Sequence, residues 1–338
     1  MATIREVAAD AGVAASTVSY VLSGNKKLPE PTVERVLASV RKLGYRPSPA
    51  ARALSLGRTN ILGMFARMSA ATPDEDVDIF MRFVRAAMYA AQPRGFDVLV
   101  MGRGDDELSG DILADAVIVM DIRAVEPRLP HLLDRGLSTV LIGVPDDTLG
   151  ASAVDLDFDD AARVMVRHLA RLGHREIAVL APPDEPPGME LAYRQRFRRA
   201  FAQECAQLGV SGGFHPCGPE VPDVEQWLAA VLTTQPHLTG IVVMGVSSLD
   251  ALRRVIAARG LSVPGDLSIV AIAPIEQFLV LHPGTTVVDL PSRAMVTRAV
   301  NRALDELAGD PPGGVELFPA VLTDAGSTGA PGRGLGGA

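Results

Sequence analysis

The sequence predicts a small all-α helix-turn-helix head joined to a much larger α/β core of two parallel-sheet lobes. Three observations predict it. Short amphipathic helices ended by glycines occupy residues 1–46. From about Asn60, apolar strand patterns alternate with helical ones in two successive series. Charge is unevenly divided: residues 1–60 carry a net charge of +5 and the remainder −13, within a 338-residue chain of net charge −8. A basic head on an acidic body is the asymmetry that phosphate contact at one end produces.

In the head, Ile4, Val7, Ala8 and Ala11 recur at helical spacing. Thr3 with Glu6 three residues later reads as a capping box, and Gly12 ends the helix. A second helix runs from about Ala15 to Leu22 and buries Val18, Val21 and Leu22; Ser23-Gly24-Asn25 stops it. Pro29 and Pro31 open a third helix, with Val33, Val36, Leu37 and Val40 inward and Gly44 at its end. Pro47-Ser48-Pro49 then breaks the helical pattern, and residues 47–59 read as a linker holding one short helix.

The core, residues 60–323, begins with the apolar Ile61–Phe65. Helix Ile79–Ala91 and buried strand patterns Phe96–Met101, Ala116–Met120 and Thr139–Gly143 follow. The second series is helix Ala161–Leu172, strand Ile177–Leu180, helix Tyr193–Leu208, strand Gly240–Met244, helix Leu249–Arg259, strand Ser268–Ile272 and helix Met295–Leu307. Such alternation implies parallel sheets covered on both faces, with a ligand crevice at the carboxyl ends of the strands. Residues 324–338 are rich in Gly, Ser and Pro, the composition of a disordered tail.

Length calls for more than one domain, and 48 % apolar residues exclude global disorder. No apolar run reaches the ~20 residues of a membrane span, and Arg5, Glu6 and Asp10 interrupt the pattern of a signal peptide; a cytoplasmic location and no membrane partner are expected. The two cysteines, Cys205 and Cys217, are too few for a disulfide framework.

The first two helices with the Gly12-Val13 turn make a helix-turn-helix. With Val18, Val21 and Leu22 inward, Ala15, Ser16, Ser19 and Tyr20 face outward, where the second helix of such a motif meets the major groove. Ser16 and Tyr20 can hydrogen-bond base edges and Ala15 can touch a thymine methyl; Thr17, Ser19 and Ser23 suit phosphate oxygens. The alternative is a generic three-helix bundle with surface Ser and Thr.

The stretches TIREVAADAGVAASTVSYVLSG and TVERVLASVRKLGYRPSPAARALSLGRTNILG closely resemble the head and hinge of the lactose-repressor (LacI/GalR) family. Weaker similarity continues through RHLARLGHREIAVL, GLSVPGDLSIV and PGTTVVDLP. The resemblance implies a periplasmic-binding-protein-like core that closes on a small effector, and a homodimer on double-stranded operator DNA. By position it makes Ala15, Ser16 and Tyr20 base-reading, and Thr3, Thr17, Ser19, Ser23 and Lys27 phosphate-positioning. It makes PAARALS a hinge helix, with Leu54 a minor-groove wedge and Ala51 beside it. The six residues from Ala50 to Ser55 cannot hold a helix alone, but bound DNA and a second hinge could, and an apolar wedge can kink a duplex. The alternative is that Leu54 docks on the core. Two departures stand out: Ala14 replaces a capping Ser, and Tyr20 replaces a common Arg, which alters the base it can read.

The core departs further. The family's sugar-binding R-x-x-G-F pattern reads here Tyr193-Arg194-Gln195-Arg196-Phe197. An Asn-Asp pair becomes Gly245-Val246, and Gly-Phe-Asp-Asp becomes Ala271-Ile272-Ala273-Pro274. Asp157 alone keeps an acidic group near the expected inter-lobe turn. A buried hydroxyl without a partner is costly, so a cleft offering Tyr193, Val246, Ala273 and Ile275 predicts an effector other than an ordinary neutral sugar, or none. Misalignment is the alternative, with Arg194 or Arg196 taking the Arg role. Arg67, Asp74 and Arg123 follow strands on the crevice side and complete the expected effector set.

Nothing predicts catalysis, a cofactor or a metal. The six histidines lack metal or catalytic spacing; His174, in LGHRE, reads as structural. The acids Asp155, Asp157, Asp159 and Asp160 lack the calcium-loop pattern and suit a helix N-terminus. Gly102-x-Gly104 lacks the third glycine of a dinucleotide site. A small-molecule binding protein with a vestigial head, or an enzyme on the same lobed fold, are the competing functions. The tail has no apolar heptads, so a dimer rather than a tetramer is expected.

Overall fold

The computed structural model describes residues 2–23, 28–45, 58–66, 74–102 and 112–332. It divides into two compact units, Met1–Ile61 with Leu113–Asp115, and the remainder.

The first unit holds α1 (Ile4–Ala11), α2 (Ala15–Ser23) and α3 (Glu30–Leu43). The Thr3–Glu6 capping box forms as the spacing predicts: Glu6 N–H donates to Thr3 Oγ1 and Thr3 N–H to Glu6 Oε2. Gly12 ends α1 at φ +65°, a left-handed conformation costly for a residue with a Cβ. Val7, Ala8, Ala11, Val18 and Val36 form the buried centre, with Val21, Leu22, Val40 and Leu43 packed around it. Leu37, expected inward, is instead exposed, and Leu43 takes its share of the packing. Lys42 Nζ meets Asp10 Oδ1 at 2.6 Å, tying α3 to α1. Asp115, also in this unit, accepts N–H bonds from Thr59 and Asn60 at 2.8 and 2.7 Å.

The second unit is two six-stranded sheets. The first has the order β11-β5-β4-β3-β1-β2, from β1 (Ile61–Phe65), β2 (Asp97–Met101), β3 (Ala116–Val119), β4 (Ser138–Ile142), β5 (Ser152–Leu156) and β11 (Val315–Phe318). The second has the order β12-β10-β9-β8-β6-β7, from β6 (Glu176–Ala181), β7 (Ser211–Pro216), β8 (Gly240–Val243), β9 (Ser268–Ala273), β10 (Thr286–Asp289) and β12 (Leu322–Thr323). Every described pairing is parallel except β10 with β12. The helices are α4 (Asp74–Ala91), α5 (Arg128–Asp134), α6 (Phe158–Leu172), α7 (Ala192–Leu208), α8 (Val221–Thr234), α9 (Ser247–Ala258), α10 (Ile275–Leu281) and α11 (Ser292–Leu307). The chain leaves the first sheet after β5, builds the second, returns through α11 to add β11, and ends with β12 in the second.

Central strands are mostly apolar because both faces are covered: β3, β5, β8 and β9 are buried at every position, with Ser152, Asp155 and Ser268 the polar residues among them. The edge strand β2, expected to be buried, leaves Leu99 and Val100 exposed. No described helix is long and apolar enough to cross a membrane.

Residues 324–332 correct the expectation of a disordered tail. Ser327 pairs with β9: Ile269 N–H donates to Ser327 O at 2.9 Å, and Ser327 Oγ donates to Ile269 O at 2.6 Å. Thr286 N–H donates to Ser327 Oγ, and Gly329 N–H to Ser268 Oγ. Asp324 accepts from the Thr286 hydroxyl at 2.9 Å. Backbone groups need no apolar side chain to dock on a strand, so composition hid this anchoring. Buried His174 also belongs to it, with Nδ1 2.8 Å from Thr239 Oγ1 and Nε2 3.1 Å from Gly329 O. Burial holds its pKa below the ordinary histidine value.

Candidate functional sites in the head and the inter-lobe cleft

On the head, Val18 anchors α2 in the core, which turns Ser16 and Tyr20 to solvent. Thr17 and Ser19 are half-exposed beside them, and Thr3 is exposed at the start of α1. Ala15 is half-buried and packs on the head core, so less of it faces outward than the helical pattern implied. The N–H groups of Thr17 and Val18 donate to Ala14 O, at 2.9 and 3.2 Å. The side chain of Ser23, and Lys27, Ala51, Leu54 and the hinge segment lie outside the described residues. An exposed Ser, Thr and Tyr surface at the N-terminal half of a second helix is chemically suited to base edges and phosphate oxygens.

The second unit contains a cavity of about 390 Å³ at the carboxyl ends of the strands of both sheets. Met120 and Asp121 follow β3, Ile142 and Gly143 end β4, and Pro182 follows β6. Met244 follows β8 and Ile272 lies near the end of β9. Ile79, Phe80 and Phe83 come from α4, Phe158 from α6, Tyr193 from α7 and Met295 from α11. Phe158 and Tyr193 pack with ring centroids 4.8 Å apart. Gly143 has φ +123°, and a Cβ there would lie 2.8 Å from the Ile122 side chain, so the close approach of these two wall residues needs glycine.

Two carboxylates on this wall are held from behind. Asp155, buried on β5, receives Arg196 Nη1 at 3.1 Å and the Leu156 N–H at 2.9 Å. Burial pushes its pKa up to about 7, against the opposing pull of Arg196. Glu185 receives Arg194 Nη1 at 2.7 Å. Asp121 closes β3 at φ +52°, uncommon for a residue with a side chain. Arg128, wholly buried, donates to Met120 O and Asp121 O while pairing with buried Glu126 at 2.6 Å. The strained turn is thereby held from below.

Of the residues expected at an effector site, Tyr193 and Val246 line the cavity; Ala273 and Ile275 flank Pro274, which lines it. The other described ones serve the framework. Asp157 caps α6, accepting the Asp160 N–H at 2.9 Å. Arg194 is buried and donates to Pro182 O, Pro183 O, Asp184 and Glu185. Arg196 joins Asp155 and Asp159 and comes within 3.9 Å of Asp157, occupying the centre of the acidic cluster that could otherwise suggest a cation site. Arg123 pairs its backbone with Leu191, donates its N–H to Glu126 and lies off the cavity. Arg67 and the side chain of Asp74 lie outside the described residues. Sequence reasoning missed Met120, Ile142, Met244 and Ile272, although each stands at or next to the end of an expected strand. It also missed Phe80, Phe83 and Phe158, whose helical spacing reads equally as core. Among the described residues no group of His, Cys, Asp and Glu is arranged to hold a metal ion.

Comparison with known proteins follows this division. Residues 3–48 match the family model described as bacterial regulatory proteins, lacI family, and residues 166–328 match a periplasmic binding protein-like domain. An uncharacterised HTH-type transcriptional regulator from the aml 5' region of Streptomyces limosus is 30 % identical over 90 % of this chain and 88 % of its own length. The HTH-type transcriptional regulator CelR of Thermobifida fusca is 29 % identical over 91 % and 92 %. The HTH-type transcriptional repressor PurR of Shigella sonnei is 26 % identical over 95 % and 96 %. Among solved structures, the lac repressor dimer bound to operator and the anti-inducer ONPF superposes with a TM-score of 0.81 at 21 % identity, covering 97 % of this chain and 99 % of that one.

Proposed function

The chain belongs to the LacI family of DNA-binding transcriptional regulators, and from that premise we propose that it is a cytoplasmic repressor whose homodimer binds a pseudo-palindromic operator and answers to a small effector that is not an ordinary neutral sugar. The observation that carries the DNA reading is α2, which keeps Val18 in the core and turns Ser16 and Tyr20 to solvent. Two such heads related by a two-fold axis would meet two half-sites.

Exposed apolar side chains support the dimer. Met81, Met88 and Tyr89 on α4, Leu99 and Val100 on β2, and Val280 and Leu281 on α10 are exposed in the single chain. Apolar surface of this kind is what a subunit interface covers.

The effector reading rests on the cavity. Its volume is within the range of small-molecule sites, and its walls are mostly Ile, Leu, Met, Phe and Tyr. Arg194 and Arg196, on α7 beside Tyr193, are committed to carboxylates and carbonyl oxygens. A sugar would bury several hydroxyl groups against a mostly apolar surface whose described charged groups, Asp121, Asp155 and Glu185, are all carboxyl groups, with no described cation to donate to its oxygens. Effector binding would then bias closure of the lobes and, through the hinge, the order of the DNA-binding elements.

The experiment is selection of bound duplexes from a random library by the full-length protein at moderate salt, where non-specific phosphate binding is suppressed. A recovered inverted repeat, with Tyr20→Ala losing discrimination at one half-site position by roughly tenfold or more, supports the reading. No enriched sequence counts against it.

A further inference from the structure

The cavity has a chemical bias that neutral-ligand reasoning leaves unused: among the described residues, every charged side chain on its wall is acidic. Asp121, Asp155 and Glu185 line it, and no Lys, Arg or His does. Phe80, Phe83, Phe158 and Tyr193 line the same space. Building on the reading of this cavity as the effector site, we propose that it takes an aromatic amine in its protonated form, the ammonium group set against the Asp121, Asp155 and Glu185 wall and the ring among the phenylalanines and Tyr193.

The charges behind the wall support this. Arg196 is shared among Asp155, Asp157 and Asp159, the last also held by Arg199. Arg194 is shared between Asp184 and Glu185. Each of these two guanidinium groups therefore faces more than one carboxyl group, so among these paired residues the carboxyl groups outnumber the guanidinium groups. Aromatic faces carry negative quadrupole density and attract a cation directly, and a charge-assisted hydrogen bond in an enclosed site is stronger than a neutral one. A carboxylate ligand meets the opposite conditions: described like charges on the wall and no described cation.

Asp155 also supplies an independent readout. Buried on β5, it faces Arg196 from α7 and lies near Asp157 and Asp159 at the start of α6. Held near neutral pH between its two protonation states, it is driven toward the ionised one by a ligand cation, so binding releases protons.

The test is calorimetric titration of the full-length protein near pH 7 with three probes of one indole body: tryptamine, tryptophol and indolepropionate. Tryptamine is expected to bind about tenfold tighter than tryptophol, with indolepropionate weakest. Tryptamine alone should release protons, seen as a dependence of the heat on the ionisation enthalpy of the buffer. Asp155→Asn should abolish proton release and erase most of the preference for the amine while keeping tryptophol affinity; retained tryptophol binding shows the variant is folded. Equal affinity for amine and alcohol, or tighter binding of the acid, overturns the inference and leaves the cavity as an effector site. Binding of none of the three, with operator affinity unchanged by any, overturns the inference and counts against the cavity as well.

Discussion

At the scale of single residues, the cleft depends on charges that never reach its surface. Arg128 and Glu126 are both almost wholly buried, and Arg128 also holds the carbonyls that end β3. Removing one partner leaves an uncompensated buried charge. Arg128→Met is therefore expected to destabilise the second unit by about 3–5 kcal/mol, measured by urea unfolding. Asp155 gives a pH signature. Its folded-state pKa of about 7 lies above its ordinary value of 3.8, so between those values the folded chain keeps a proton that the unfolded chain has released. Its contribution to stability is present below about pH 4 and lost as pH rises toward 7. Asp155→Asn should lack that decline when unfolding is followed across this window. The sequence made the outward set on α2 legible, because Val18, Val21 and Leu22 mark the inward side by spacing alone. It did not reveal what Arg194 and Arg196 do. A residue's place in a motif predicts nearness to a cleft, whereas burial and carboxyl partners decide whether the side chain faces the ligand or the framework.

At the scale of elements, periodicity found most of the long helices and central strands, but missed the 14-residue α8 and the internal strands β5 and β10 as well as several short elements. β7 reads Ser-Gly-Gly-Phe-His-Pro and lies at a sheet edge with no apolar run to reveal it. α5 and α10 have seven residues each, too few for a helical repeat to show. β11 and β12 are short and partly exposed. The tail is the clearest case, because its order comes from hydrogen bonds that its backbone and the polar side chains of Asp324 and Ser327 make to β9 and β10, rather than from apolar side chains. Deleting residues 325–338 is expected to cost the second lobe several hydrogen bonds of about 1 kcal/mol each. A lower calorimetric melting temperature, with the unfolding of the head unchanged, is the predicted result; an unaltered transition would contradict the anchoring.

At the scale of the whole molecule, the exposed apolar residues of α4, β2 and α10 predict association. Light scattering should give twice the 35.6 kDa chain mass, and Tyr89→Asp combined with Val280→Asp should shift it toward the monomer and weaken operator binding with it. The two lobes also meet without side chains: Ala192 N–H donates to Ile122 O at 2.9 Å, Ala124 N–H to Glu190 O at 3.4 Å, and Arg123 bridges Leu191. Ile122 and Leu191 both line the cavity, so this stitch is one of its walls. The consequence is temporal. A ligand admitted only when the stitch breaks enters at the rate of breaking, so stopped-flow association should level off as ligand concentration rises, and Ala192→Pro, whose ring removes the N–H that donates to Ile122 O, should raise that ceiling. Departure is held to the same clock, and a switch built this way reports the recent past of its signal rather than its present level.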